Sequence, residues 1–172
     1  MSADQKPLLG IPTNVISGFL GVGKTSAILN LLSQKSSHER WAILVNEFGE
    51  IGIDGSLLQN HQSTDSNIFI REVPGGCMCC TAGISMQLAL AQLLEKAKPD
   101  RLLIEPTGLG HPEEVLEVLC RESYKNILSV QKTHTLVDAR NLRENRFVEN
   151  EIFQQQIVIA DTIIGLSLIH IS

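Results

Sequence analysis

Several things are scarce in this chain, and each scarcity narrows its function. No run of about eighteen apolar residues occurs, so no membrane-spanning helix is expected. The first six residues, Met1–Lys6, are polar, with no apolar signal core ahead of the first strand-like run. Basic residues are outnumbered, 14 Lys and Arg against 19 Asp and Glu, and the net charge is −5. That balance argues against nucleic acid or an anionic membrane as the main partner. Cysteine is sparse and uneven: of four, three lie between Cys77 and Cys80, and Cys120 stands apart. This is not the spacing of a secreted disulfide framework, so the cytoplasm is the expected compartment and a metal or redox site the expected use. Internal repeats and low-complexity linkers are also absent.

What remains is an ordinary globular composition, 43% hydrophobic and 19% charged. A length of 172 residues suits one domain with a real core. Strand-like runs fall at Thr13–Ser17, Trp41–Asn46, Ile68–Val73, Arg101–Ile104, His134–Val137 and Thr162–Gly165. Helical patterns separate them at about Lys24–Gln34, Ile84–Lys98, Pro112–Cys120 and Phe147–Ile159. In the second helix, positions 84, 88, 91 and 94 form the expected apolar stripe. Pro99 ends that helix, and Pro112 suits the first turn of the next. The polar stretch Gln59–Asn67 reads as a loop. Alternation of this kind predicts an α/β fold, a doubly wound and mostly parallel sheet with helices on both faces. Ligands then belong at the carboxyl ends of the strands.

Gly18-Phe19-Leu20-Gly21-Val22-Gly23-Lys24-Thr25 fits G-x-x-x-x-G-K-[ST], the phosphate-cradling P-loop, between a strand and a helix. Glycines let several backbone N–H groups converge on a phosphate, and the helix N-terminus adds positive potential. Lys24 can reach the β- and γ-phosphates, and the Thr25 hydroxyl can ligate Mg²⁺. The pattern predicts a P-loop NTPase.

Gly75-Gly76-Cys77-Met78-Cys79-Cys80 forms a second constellation. The glycines turn the chain after a strand, and three thiols follow. Thiolates bind Zn²⁺ and other thiophilic divalent ions, and a helix starting near Gly83 favours the deprotonated form. Adjacent cysteines cannot easily share one ion with ideal geometry, so an open site suited to passing a metal on is expected over a closed structural one. A redox-active thiol cluster and inert buried cysteines are the other readings of these residues.

In a third segment, Leu102-Leu103-Ile104-Glu105-Pro106-Thr107-Gly108, an apolar strand ends in a carboxylate with a glycine three positions on. In P-loop enzymes an acid there holds Mg²⁺ and its waters, and the glycine N–H can sense the γ-phosphate. In a fourth, Val45-Asn46-Glu47-Phe48-Gly49-Glu50, a strand ends in two carboxylates. These read either as metal ligands or as a solvated loop.

These four segments, in this order, resemble the CobW-like metallochaperone GTPases, relatives of the enzymes that insert nickel into hydrogenase and urease. The resemblance spans about Thr13 to Gly165. It implies that Gly18, Gly21, Val22, Gly23, Lys24, Thr25 and Ser26 bind GTP, with Thr25 and Glu105 on Mg²⁺. Lys24, Glu105 and Gly108 would carry the catalytic roles, Glu105 and Gly108 as a Walker B–switch II element. Cys77, Cys79 and Cys80 would bind Zn²⁺, Co²⁺ or a similar ion, with Glu50 a neighbouring ligand. The implied activity is slow, metal-responsive GTP hydrolysis serving a client metalloprotein.

The chain departs from that family at one point. The guanine-reading [NT]-K-x-D motif should follow Ile163-Ile164-Gly165, but Ser167 stands in place of the Lys and Ile169 in place of the Asp. Leu166–Ser172 also reads as the translation of a transposase mosaic-end sequencing adapter. The expected organisation is therefore an N-terminal tail over 1–12, a C-terminally truncated P-loop GTPase domain over 13–165, and an adapter-derived segment over 166–172. On that reading the family's smaller C-terminal domain is absent, and the choice between GTP and ATP is poor. An apolar sheet edge at Thr162–Ile164 would be exposed.

His38, His61 and His134 occur singly and read as surface or structural residues. His111, close to Glu105 in sequence, is a candidate for a place near nucleotide or metal. Two other functions stay open. A P-loop kinase of a small metabolite would need an Arg-rich lid, and no such cluster follows Glu105. A non-enzymatic metal-binding module would use nucleotide only structurally.

Overall fold

Alternation of buried residues along three central strands builds the core on two faces of one sheet. In the computed structural model, which describes residues 8–46, 67–73 and 83–166, β1 is Ile11–Gly18, β2 is Trp41–Val45 and β4 is Arg101–Glu105. Ala42, Leu44, Leu102 and Ile104 face one side; Trp41, Ile43, Val45 and Leu103 face the other. Strands buried on both faces read as continuous apolar runs, as these do. The first α-helix, α1 (Lys24–Ser33), covers the second side through Ile28 and Leu32. On the first side lie α2 (Ile84–Ala97) and α3 (Pro112–Leu119), through Met86, Leu90, Leu94, Val115 and Leu119.

The remaining strands are β3 (Ile68–Glu72), β5 (Leu128–Val130), β6 (His134–Asp138) and β7 (Thr162–Leu166). Among the described residues seven strands form one sheet in the order β3-β2-β4-β1-β6-β7, and β5 pairs with the beginning of β1. Every pairing is parallel. The expected doubly wound sheet with helices on both faces is therefore the fold. Two short helices, α4 (Asn145–Val148) and α5 (Glu151–Val158), precede β7.

Four expectations change in detail. The strand β5 was not expected: three residues are too few for a period to show. The helix expected over Phe147–Ile159 is two helices. Asn150 breaks it, its side-chain oxygen accepting from the Phe153 N–H at 3.1 Å, because Asn favours a cap over a helix interior. The apolar stripe of α2 is displaced. Met86, Ala89, Leu90, Leu93, Leu94 and Ala97 are buried, while Ile84 and Leu88 are 64% and 57% exposed. The helix carries two apolar stripes, and the sheet takes the one with the fuller i, i+3, i+4, i+7 set. Finally, β7 includes Leu166, paired with Asp138. The strand lies at a sheet edge, with Ile163 and Ile164 exposed as expected. Pro112 lies in the first turn of α3, and Pro99 follows the end of α2.

Candidate nucleotide site

The central strand β1 delivers the P-loop to the carboxyl edge of the sheet. Gly18 ends it at φ +145, and a Cβ there would lie 2.7 Å from the Leu136 carbonyl oxygen and 2.8 Å from Val22 Cγ1. Glycine is the residue that lets β1 run this close to β6. The loop then turns through left-handed Gly21 and Gly23, at φ 73 and 100. Val22 is buried beneath it and holds the turn with an N–H to the Phe19 carbonyl at 3.2 Å.

Gly23 is the N-cap of α1 and Lys24 its first residue. No side chain caps this helix, and no acid stands in its first turn. Its N-terminal N–H groups and positive potential are therefore directed at whatever the loop encloses. Lys24 is buried, and its Nζ donates to the Gly18 carbonyl at 3.1 Å. Its ammonium thus folds over the loop from the helix. Ser26, next along α1, is exposed.

Glu105 ends β4 beside β1, in register with Val45. The Thr25 hydroxyl donates to Glu105 Oε1 at 3.0 Å, joining residues eighty positions apart. After Glu105 the chain turns tightly: the Gly110 N–H donates to the Thr107 carbonyl at 3.2 Å. Gly108 lies hard against the P-loop. A Cβ on it would be 2.6 Å from Leu20 N and 2.7 Å from Leu20 Cα. Among the sequence candidates, Lys24, Thr25, Glu105 and Gly108 thus converge on one place. A hydroxyl and a carboxylate are hard oxygen donors, the donor chemistry that suits Mg²⁺.

Cys77, Cys79, Cys80, Glu47 and Glu50 lie outside the described residues, as does His61. Among the described residues no cluster of His, Cys, Asp and Glu could hold a metal ion, and no helix is long and apolar enough to cross a membrane. The strands leading to those residues are described, however. The Asn46 N–H donates to the Glu105 carbonyl at 3.1 Å, and the Val73 N–H to the Val45 carbonyl at 3.0 Å. One backbone ladder therefore runs from Glu105 to Val73, a residue short of the Gly-Gly-Cys segment's preceding proline. His111 precedes α3, exposed, with Nδ1 2.7 Å from Gln155 Oε1.

A third side of the site escaped the sequence reading. The Phe19 ring meets Phe147 and Phe153 edge-on, at centroid distances of 5.5 and 6.3 Å. Gln156, buried on the same helix as Phe153, donates from Nε2 to the Gly108 carbonyl at 3.1 Å. The available signal was the spacing of Phe153 and Gln156, three positions apart and so on one helical face.

The profile of the CobW/HypB/UreG nucleotide-binding domain matches residues 12–166. The chain belongs to this family. Its P-loop, its Glu105–Gly108 turn and its parallel sheet, except Ile11 at the start of β1, fall inside the matched span. This CobW/HypB/UreG domain is 50% identical over 153 residues to the zinc chaperone YeiR of Escherichia coli (strain K12), a match covering 89% of this chain and 45% of YeiR. It is 31% identical over 179 residues to the zinc chaperone CobW of Sinorhizobium sp, covering 90% of this chain and 50% of that one. The chain thus spans about half the length of these relatives. Its fold matches the crystal structure of the Zn(II)-bound YjiA GTPase from E. coli, with a TM-score of 0.62 at 23% identity, over 91% of this chain and 49% of YjiA.

Proposed function

We propose that this chain is the nucleotide-binding part of a metal-responsive GTPase. It would hydrolyse GTP to GDP and phosphate and handle Zn²⁺, Co²⁺ or a similar ion for a client metalloprotein in the cytoplasm. The observation that carries this reading is the Thr25–Glu105 hydrogen bond at the head of an uncapped P-loop helix. The kinship with zinc chaperones supplies the metal part of the reading.

Each residue has a definite task. The backbone N–H groups of Gly21 to Thr25 and the α1 N-terminus hold the phosphates, and Lys24 places its charge on the β- and γ-oxygens. Thr25 and Glu105 are the residues that would hold Mg²⁺, which offsets charge on the same oxygens when bound. Gly108, pressed against Leu20, keeps the turn after Glu105 close enough for its backbone to meet the γ-phosphate. Cys77, Cys79 and Cys80, with Glu50, bind the transition metal as thiolates and carboxylate. The ladder from Glu105 through Val45 to Val73 supports coupling between the two sites, because loss of the γ-phosphate would alter the strand ends that lead in sequence to the proposed metal ligands.

The organisation read from sequence, a tail over 1–12, the nucleotide domain over 13–165 and an adapter-derived end over 166–172, stays a proposal, with the domain's bounds moved out to Ile11, where β1 begins, and Leu166, where β7 ends. Phosphate release from GTP, measured with Mg²⁺ and with and without Zn²⁺, tests the function. Turnover that requires Lys24 and responds to Zn²⁺ supports it. Transfer of the γ-phosphate to a small metabolite in place of water would overturn it in favour of a kinase.

A further inference from the structure

Helix α5 touches the nucleotide site at three points, and Gln156 makes the most unusual contact. Its side chain is buried, at 1% relative exposure. Nε2 donates to the Gly108 carbonyl at 3.1 Å, while Oε1 has no hydrogen-bond partner among the described residues. A carboxamide buried with half its polar capacity unmet is unfavourable to stability. Packing alone would be served better here by an apolar side chain of equal length.

What the carboxamide touches gives the reason for it. Gly108 lies close to the P-loop, where a Cβ on it would already be 2.6 Å from Leu20 N and 2.7 Å from Leu20 Cα. The Gly108–Leu109 peptide can still rotate, and the Gln156 hydrogen bond fixes that rotation by pinning the Gly108 carbonyl. The neighbouring Leu109 N–H reaches only the Thr107 hydroxyl, at a long 3.4 Å, so it adds little restraint. Gln156 in turn is seated from the other side. Its backbone carbonyl accepts from the buried Thr135 hydroxyl on β6 at 2.9 Å, and Phe153 on the same helix packs on Phe19 of the P-loop.

We infer that Gln156 is a positioning residue for the γ-phosphate sensor: by holding the Gly108 carbonyl, its side-chain amide limits the backbone torsion at Gly108, whose own N–H lies in the preceding peptide, and so sets the preference of the site for triphosphate over diphosphate. The inference rests on the proposed nucleotide function and names a residue outside the P-loop and the Glu105 turn. It requires no contact between Gln156 and the nucleotide. Gln155, adjacent on α5, meets His111 beyond the same turn, so the helix grips the turn at both ends.

The test compares binding of GDP and of the non-hydrolysable guanosine 5′-(β,γ-imido)triphosphate, each with Mg²⁺, in the full 172-residue chain. Gln156→Met keeps length and burial but removes both the donor and the orphaned acceptor. It should leave the melting temperature unchanged or raised and GDP affinity unchanged, and weaken triphosphate binding about fivefold to tenfold, the equivalent of one hydrogen bond. Gln156→Glu sets a carboxylate against the carbonyl and should weaken it further. Thr135→Val loosens the seat of α5 without touching the carboxamide, and should lower the melting temperature while keeping the triphosphate-to-diphosphate ratio. An unchanged ratio in Gln156→Met overturns the inference alone. So does an equal loss of ratio in Thr135→Val, which would make the effect one of general packing. A wild-type chain that binds neither nucleotide overturns the functional reading and this inference with it.

Discussion

The hydroxyl of Thr25, in the first turn of α1, donates to the carboxylate of Glu105, at the end of β4, over 3.0 Å. Strand order explains the meeting, since β4 is the hydrogen-bonded neighbour of β1 and the P-loop carries the chain from β1 directly into α1. Thr25→Val and Glu105→Gln should each abolish the Mg²⁺ dependence of triphosphate binding while leaving Mg²⁺-free binding nearly intact. Titration of a fluorescent GTP analogue with and without EDTA reads this out. Mg²⁺ dependence equal to wild type in both variants would contradict the assignment.

Lys24 contributes charge in a buried setting, so its removal should be felt in affinity before turnover. Lys24→Ala is expected to weaken triphosphate binding about tenfold to hundredfold, the range for a lost charge-assisted hydrogen bond. Calorimetric titration measures it.

Gly108→Ala would place a methyl 2.6 Å from Leu20 N, a backbone atom that has little room to move. The P-loop or the turn must shift. A stability loss of about 1–3 kcal/mol is expected from overpacking. Triphosphate affinity should fall with it, whereas Gly21→Ala, with no atom within 4 Å of its Cβ, should act only through its φ of +73. Urea unfolding of the two variants separates crowding from backbone strain.

Asp138, at the end of β6, is held by Arg140. The side-chain and backbone hydrogen bonds from Arg140 lower its carboxyl from 3.8 to about 2. Because the folded value lies below the unfolded one, the contribution is complete above 3.8 and fades as pH falls toward about 2. Wild type should therefore exceed Asp138→Asn in denaturant midpoint near neutral pH, and the two curves should converge only as pH falls below about 2. A gap that persists there would show that the pair acts through something other than ionisation.

Zn²⁺ affinity should differ by about fivefold or more between the GTP-analogue, GDP and nucleotide-free forms if the two sites are coupled. Cys79→Ser with Cys80→Ser should remove the binding. Equal affinity in all three states would refute the coupling. Competition binding should also find GTP and ATP of similar affinity if, as the sequence pattern proposes, Ser167 and Ile169 stand where the guanine-reading Lys and Asp would be.

The sequence by itself determined the fold class and named half of the candidate site. Glycine spacing with Lys24 and Thr25 declares a phosphate loop because few other residues permit that backbone, and uniformly apolar runs declare strands buried on both faces. Glu105 was legible because it ends such a run. Local pattern could not decide which stripe of α2 meets the sheet, since Ile84 and Leu88 are as apolar as Met86 and Leu90 and only packing chooses between them. Asn150 could have announced the break between α4 and α5, but a cap competes with helix continuation and the surrounding contacts settle the outcome. Gln156 depended wholly on tertiary structure. A glutamine on an apolar face acquires a role only when the sheet order brings α5 against the turn after β4, setting a side chain and a carbonyl 48 residues apart within one hydrogen bond.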